Sequence, residues 1–193
     1  MIILIGPSAS GKTSIAKELI KNYNFKKFVT NTTRSPREGE VDGEDYHFIS
    51  VEKFLEKQKK NELIEYVNYN NNYYGTSIEE VSDDKVLIVD IKGANKFYER
   101  LKSDVVIFYV SCSKKVVEDR MRGRGDSENT IKSRLELDDK YFDIKLLSHY
   151  DYIIDNDSAD IDAVTKDVYT KYMNKKRGNV WVIMEKSMLH MMH

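Results

Sequence analysis

The stretch Ile2-Ile3-Leu4-Ile5-Gly6-Pro7-Ser8-Ala9-Ser10-Gly11-Lys12-Thr13 runs an apolar, β-branched segment straight into a full G-x-x-x-x-G-K-[ST] match. A short strand, a glycine-bearing turn and the start of a helix are the context in which this pattern has a physical meaning. The glycines let the backbone fold around an anion, so that successive N–H groups and the positive end of the next helix point at it. Lys12 adds a full charge aimed at β- and γ-phosphates, and the Thr13 hydroxyl is the expected Mg²⁺ ligand. The bland alternative is a glycine-rich turn that merely caps a helix. The motif Gly6 to Thr13 specifies a nucleoside triphosphate without specifying a reaction.

Outward from this loop, further short apolar runs recur at Lys85 to Asp90, Val105 to Val110 and Tyr152 to Ile154. Between them, Ser14 to Tyr23, Ala94 to Leu101, Ser113 to Arg122, Glu128 to Leu147 and Ala159 to Tyr172 carry apolar residues at helical spacing. The alternation predicts an α/β chain built of βαβ units on a parallel sheet, with ligands beyond the carboxyl ends of the strands. Asn31 to Tyr74 differs in character, being rich in Tyr, Asn, Thr and charge. Tyr46 to Ile49 and Leu63 to Tyr69 are its strand candidates, and Asn70-Asn71-Asn72 marks a hairpin turn because Asn tolerates positive φ. This predicts an insert with a short sheet of its own.

The chain has 193 residues, 40% hydrophobic and 33% charged, with a formal charge of −1. These values describe one globular unit with no bulk electrostatic case for nucleic acid. Cys112 is the single cysteine, which excludes an internal disulfide and a multi-cysteine metal centre and is read as a packed residue. No apolar run approaches the ~20 residues that cross a bilayer, and Met1 to Ile5 lacks the features of a signal peptide. The expectation is a cytoplasmic protein with no membrane partner.

A second anion site is legible in Thr32-Thr33-Arg34-Ser35-Pro36-Arg37-Glu38-Gly39-Glu40-Val41-Asp42-Gly43-Glu44-Asp45-Tyr46-His47-Phe48. Arg34 and Arg37, three residues apart around Pro36, form a pair of guanidinium groups suited to a phosphate, which such groups bind bidentately. A solvated loop of surface ion pairs is the alternative when this segment is taken alone. This segment resembles the guanylate kinase family signature T-T-R-x-P-R-x-G-E-x-x-G-x-D-Y-x-F at every defined position. The resemblance extends through Leu63-Ile64-Glu65-Tyr66 with Tyr73-Tyr74-Gly75-Thr76, through Val89-Asp90-Ile91-Lys92-Gly93-Ala94, through Arg120-Met121-Arg122-Gly123-Arg124-Gly125, and through Tyr150 to Asp157, covering residues 1 to about 170 in the family's order.

The resemblance implies a P-loop kinase fold with a core of residues 1–30, 84–119 and 150–178, a GMP-binding insert of mixed sheet at 31–83, a helical lid at 120–149, and a tail at 179–193. It implies phosphoryl transfer from ATP to GMP or dGMP with Mg²⁺. Arg34, Arg37, Tyr46 and Tyr74 would hold the GMP phosphate, while Glu65, Thr76, Thr30 and Asp90 face the guanine. Chemistry agrees for Glu65: guanine presents N1–H and an exocyclic amine, both donors, and an ionised carboxylate only accepts. Arg120, Arg124 and Arg134 would surround the transferring phosphate beside Lys12, Gly123 and Gly125 would give the lid hinge freedom, and Asn156 would contact adenine or simply form a turn.

Three departures stand out. Ile88 occupies a position where the family carries an acid, removing a carboxylate that would steady Lys12 or the Mg²⁺ shell. Lys92 replaces a usual glutamine, and the lid is one residue shorter between Gly125 and Arg134. The tail from Asn179 to His193 has no counterpart; Val180 to Met184 reads as an added strand or a partner-binding segment, and His190 with His193 as a loose end rather than a metal site. Two other functions compete: a kinase of the same fold for another phosphorylated acceptor, and a non-catalytic guanylate-kinase-like module that binds proteins. Intact Lys12, Thr13, Arg34 and Arg37 argue against the module, and Glu65 with Tyr74 and Thr76 against the other acceptor.

Overall fold

The computed structural model describes the backbone of residues 1–157 and 160–191, and the side chains of 1–157 and 160–178. In order the chain forms β1 (Ile2–Ile5), α1 (Lys12–Asn22), β2 (Lys26–Lys27), β3 (Asn31–Thr32), β4 (His47–Phe48), α2 (Val51–Lys59), β5 (Leu63–Tyr69), β6 (Asn72–Ser77), β7 (Lys85–Ile88), α3 (Ile91–Leu101), β8 (Val106–Ser111), α4 (Lys114–Gly123), α5 (Glu128–Tyr141), β9 (Tyr152–Asp155) and α6 (Ile161–Met191). Among the described residues the main sheet has the order β2-β7-β1-β8-β9, and each neighbouring pair is parallel.

Every residue of β1 is buried. Its two faces feed two separate cores, which is why its sequence is continuously apolar rather than alternating. Ile2 and Leu4 join Ile15, Leu19, Phe108 and Val168 under α1 and α6. Ile3 and Ile5 join Phe28, Ile91, Ala94 and Phe97 under α3. A third, smaller cluster of Val117, Met121 and Ile131 ties α4 to α5 beside Ala9 and Cys112.

The insert carries its own sheet, ordered β4-β3-β6-β5, with β3 parallel to β4 and the other pairs antiparallel. Asn70 and Asn71 both take positive φ (51° and 60°) and close the β5–β6 hairpin as a two-residue turn, the geometry that matches strand twist. Helix α2 backs this sheet through fully buried Phe54, whose ring stacks on Tyr73 with centroids 5.2 Å apart.

Two expectations change. The helix expected over Glu128 to Leu147 ends at Tyr141, and a single 3₁₀ turn follows at Ile144–Leu146. Asp143 accepts from the Lys145 N–H at 3.0 Å, a local bond that competes with helix propagation. The backbone of α6 continues to Met191, so Val180 to Met184 is helical and the added strand is corrected. Ala159 and His193 lie outside the described residues. Among the described residues no helix is long and apolar enough to cross a membrane.

Candidate functional site

The loop between β1 and α1 stands at the carboxyl edge of the main sheet, where the backbone leaves β1 and reverses into α1. Gly6 has φ of +145°, and a Cβ there would sit 2.2 Å from the Val110 carbonyl oxygen of β8. Gly11 has φ of +100°, and a Cβ there would fall 2.1 Å from Asn156 Nδ2. Both positions therefore exclude side chains, and the loop can only close as it does with glycine. Gly11 is also the N-cap of α1 and supplies no side-chain cap, so the first N–H groups of that helix stay available to an anion.

Lys12 folds back over the loop, donating to the Gly6 and Pro7 carbonyls at 2.8 and 2.6 Å and to Ser10 Oγ at 3.3 Å. Its ammonium also stands 5.8 Å from the centre of the Phe142 ring. Burial pulls its pKa down to about 8; Asp138 opposes that shift and Arg124 adds to it. Arg124 and Asp138 are thus both within electrostatic reach of the loop. Asp138 touches it directly: its Oδ2 accepts from the Ser8 N–H at 2.8 Å and its Oδ1 from Ser8 Oγ at 3.1 Å. Thr13 is exposed at the start of α1.

Asn156 braces the loop from β9's end. It is buried, and its Nδ2 donates to the Ser10 carbonyl at 2.7 Å. Arg120 crosses from α4 to the same place, donating to the Asn156 carbonyl at 2.8 Å and to the Ala9 carbonyl at 3.3 Å. Ala9, Gly11, Arg120, Arg124 and Asn156 line a cavity of about 450 Å³ on this side. Arg134, expected in the same company, is exposed on α5, with its Nη1 3.2 Å from Asp126 Oδ2. Cys112 sits between Arg120 and Asn156, where burial first, then Asp157, pushes its thiol up to about 11, in keeping with an unreactive packed residue.

In the insert, Arg34 Nη2 pairs with Glu40 Oε1 at 2.8 Å, while Glu40 Oε2 accepts from the Arg37 N–H at 2.7 Å. Hydrogen bonding to Glu40 raises the Arg34 pKa further above its ordinary value, with a smaller contribution from Tyr74. The Arg34 guanidinium stands 5.6 Å from the Tyr46 ring centre and 5.7 Å from that of Phe48. Tyr46 in turn meets Tyr74 edge to face at 6.0 Å. The structure therefore gathers Arg34, Tyr46 and Tyr74. Arg37 is different: its side chain is exposed and, among the described residues, donates no hydrogen bond.

Glu65 and Thr76 face each other across the β5–β6 pair, with Thr76 Oγ1 donating to Glu65 Oε1 at 3.3 Å. Thr30 is half-buried, and its carbonyl accepts from the His47 N–H at 2.9 Å. Asp90 caps α3, accepting from the Gly93 N–H at 2.7 Å. With Ile91, Lys92 and Phe142 it lines a cleft of about 510 Å³ that opens between α3 and the end of α5. Phe142 is shared by this cleft and by Lys12, so Asp90 and the phosphate loop border one region.

Sequence reasoning missed Glu40 as the acid that neutralises Arg34, and Asp138 as the acid on the loop. Asp138 did leave a signal, being a charge seven residues after Ile131 and so on the buried face of α5.

The family model for guanylate kinase matches residues 1–174. The chain is similar to the guanylate kinase of Clostridium tetani, 38% identical over 86% of this chain and 82% of that protein. It is also similar to that of Halalkalibacterium halodurans, 34% identical over 92% and 91%. Among solved structures, guanylate kinase from Anaplasma phagocytophilum superposes with a TM-score of 0.56 at 28% identity, covering 88% of this chain and 82% of that one. A gluconokinase from Sinorhizobium meliloti 1021 shares the fold alone, at 12% identity and a TM-score of 0.50 over 93% and 95%.

Proposed function

Because this chain belongs to the guanylate kinase family, we propose that it transfers the γ-phosphate of ATP to GMP and dGMP, forming GDP or dGDP and ADP. The observation that carries the reading is the pairing of two sites in one fold. One is a capless helix start with Lys12; the other is the Arg34, Tyr46 and Tyr74 cluster beside the Glu65–Thr76 pair.

The reaction forms a bond from a GMP phosphate oxygen to the γ-phosphorus and breaks the bond from that phosphorus to the β,γ-bridging oxygen. The acceptor is already an anion, so no general base is required. The protein's task is alignment and cancellation of charge. Loop amides and Lys12 hold the triphosphate. Arg34, Arg37, Tyr46 and Tyr74 hold the acceptor phosphate, which requires Arg34 to exchange Glu40 for the substrate. Glu65 accepts from guanine N1–H and its amine, with Thr76, Thr30 and Asp90 completing that face. Arg120, Arg124 and Arg134 belong to the donor side; Arg120 acts from its present anchors by fixing the loop and Asn156, which borders the adenine cavity.

Mg²⁺ fits this chain through Thr13. Among the described residues no group of three or more His, Cys, Asp or Glu could hold a metal ion. That suits a cation that takes one or two protein oxygens and otherwise phosphates and water, and when bound it screens the charge of the β- and γ-phosphates. Ile88, about one-third exposed, offers it no carboxylate. The single thiol, with no disulfide, supports a cytoplasmic setting.

A coupled assay with ATP and Mg²⁺ over GMP, dGMP, AMP, UMP and CMP tests the reading, run on the native chain and on Glu65→Gln. Native protein is expected to convert GMP and leave AMP nearly untouched, while Glu65→Gln narrows the preference by roughly tenfold or more. A native chain inactive on GMP refutes the function; an unchanged preference in the variant removes Glu65 from the base site.

A further inference from the structure

Helix α5 buries an acid where its stripe calls for an apolar side chain. Asp138 is buried, while the neighbouring Leu137 and Tyr141 are each about half exposed. A carboxylate taken out of water needs strong partners, yet among the described residues Asp138 makes no salt bridge. Both its oxygens are spent on one residue, the amide and hydroxyl of Ser8. Ser8 is the third residue of the phosphate loop, and its N–H belongs to the ring of amides that such a loop turns toward an anion. Lys12, which donates to the Gly6 and Pro7 carbonyls of the same loop, has its charged form favoured by Asp138.

We propose that Asp138 is a tethered occupant of the phosphate loop, a carboxylate that ATP must displace to bind. The proposal rests on reading Gly6 to Thr13 as the ATP cradle. Carboxylate and phosphate oxygens compete for the same Ser8 donors, and two anions cannot share them without strong repulsion. Asp138 also lines an open cavity of about 270 Å³ with Leu135, Asp139 and Phe142, so it can leave Ser8 by turning into that cavity or by a shift of α5. A shift of α5 would also carry Arg134, four residues earlier, an exposed arginine assigned to the donor side. By either route, the energy of parting Asp138 from Ser8 is subtracted from the apparent affinity for ATP. Without ATP, the loop holds its own anion instead of a stray one.

Isothermal titration calorimetry on the full chain without any acceptor nucleotide tests this, using ATP with Mg²⁺ and, separately, inorganic tripolyphosphate, which has no base to bind elsewhere. The proteins compared are native, Asp138→Ala, Asp138→Asn and Asp139→Asn. Losing a hydrogen-bonded charge from the loop should tighten both ligands by roughly tenfold in Asp138→Ala, and by a few-fold in Asp138→Asn, which keeps the shape and one acceptor. Asp139 is exposed and paired with Lys114 at 2.7 Å, so Asp139→Asn removes the same charge without touching the loop and should stay within about twofold. If Asp138→Asn and Asp138→Ala melt as folded proteins but bind no tighter than native, Asp138 only braces the loop and the proposal falls. It falls equally if Asp139→Asn tightens binding as much as Asp138→Asn does, since bulk charge would then explain the effect. No acceptor is present, so the outcome is separate from whether GMP is turned over.

Discussion

In the phosphate loop the groups offered to an anion belong to consecutive residues and are mostly main chain, clamped between fully buried β1 and α1. In the insert, the groups proposed for the acceptor phosphate are side chains drawn from Arg34 on a loop, Tyr46 beside β4 and Tyr74 on β6, over a sheet in which β3 and β4 have two residues each. One site is held by the core of the whole molecule; the other by a small local core centred on Phe54 and by ion pairs such as Arg34–Glu40. A main-chain cradle so supported keeps its backbone shape whether Asp138 or a ligand takes its donors. In the proposed reaction the side-chain cluster, whose Arg34 is paired with Glu40, has to rearrange side chains to take up the phosphate. The difference teaches that the two halves of the reaction rest on unequal rigidity, and that each can be damaged without the other.

Phe54→Ala should give the largest effect. It empties a fully buried ring between α2 and β6, with a loss of about 3–5 kcal/mol expected for such a change, felt by the insert's own small core. Hydrogen exchange should show β5 and β6 opening while β1 and β8 stay protected, and GMP binding should weaken far more than ATP binding. Uniform loss of protection across both sheets would show that the two regions fold as one unit and would erase the contrast. Next, Lys12→Ala should lower kcat by roughly 10²–10³-fold, with GMP affinity nearly unchanged. An equal fall in GMP affinity would mean that the lysine also shapes the acceptor side.

The smallest effect is graded with pH. Burial depresses the Lys12 pKa to about 8 in the free protein, so its cationic form declines above that value. kcat/KM for ATP should therefore fall above about pH 8, approaching tenfold per unit, while GMP binding measured alone stays flat over the same range. Stability moves the other way: from about pH 8 up to the ordinary lysine range the unfolded chain holds a proton that the folded loop has shed, so this group alone makes stability rise with pH. A flat ATP profile through pH 9 would show that Lys12 keeps its charge in the free loop.

The legibility of the two sites follows the same physical line. Gly6, Gly11 and Lys12 were readable because the positive φ angles and the missing Cβ atoms are local demands that a sequence must state where they occur. The Asn70-Asn71 turn was readable for the same reason. The end of the helix at Tyr141 was not, since Asp143 competing for a backbone amide is a matter of a single hydrogen bond that periodicity does not register. Nor was the helix running through Val180 to Met184, where β-branched residues argue for strand while the backbone simply continues α6.

Residue order alone determined the parallel α/β plan, the anion loop and the paired arginines of the insert, because each depends on neighbours a few positions apart; the assignment of Glu65 to guanine rests on resemblance to the family and belongs to the proposed function. Only the folded chain decided that Glu40 closes on Arg34, that Arg120 and Asn156 lock the loop from opposite elements, and that Asp138 settles on Ser8 from 130 residues away. Such contacts follow from how helices and sheets pack once their apolar faces are buried, and packing is a property of the assembled layers rather than of any one segment.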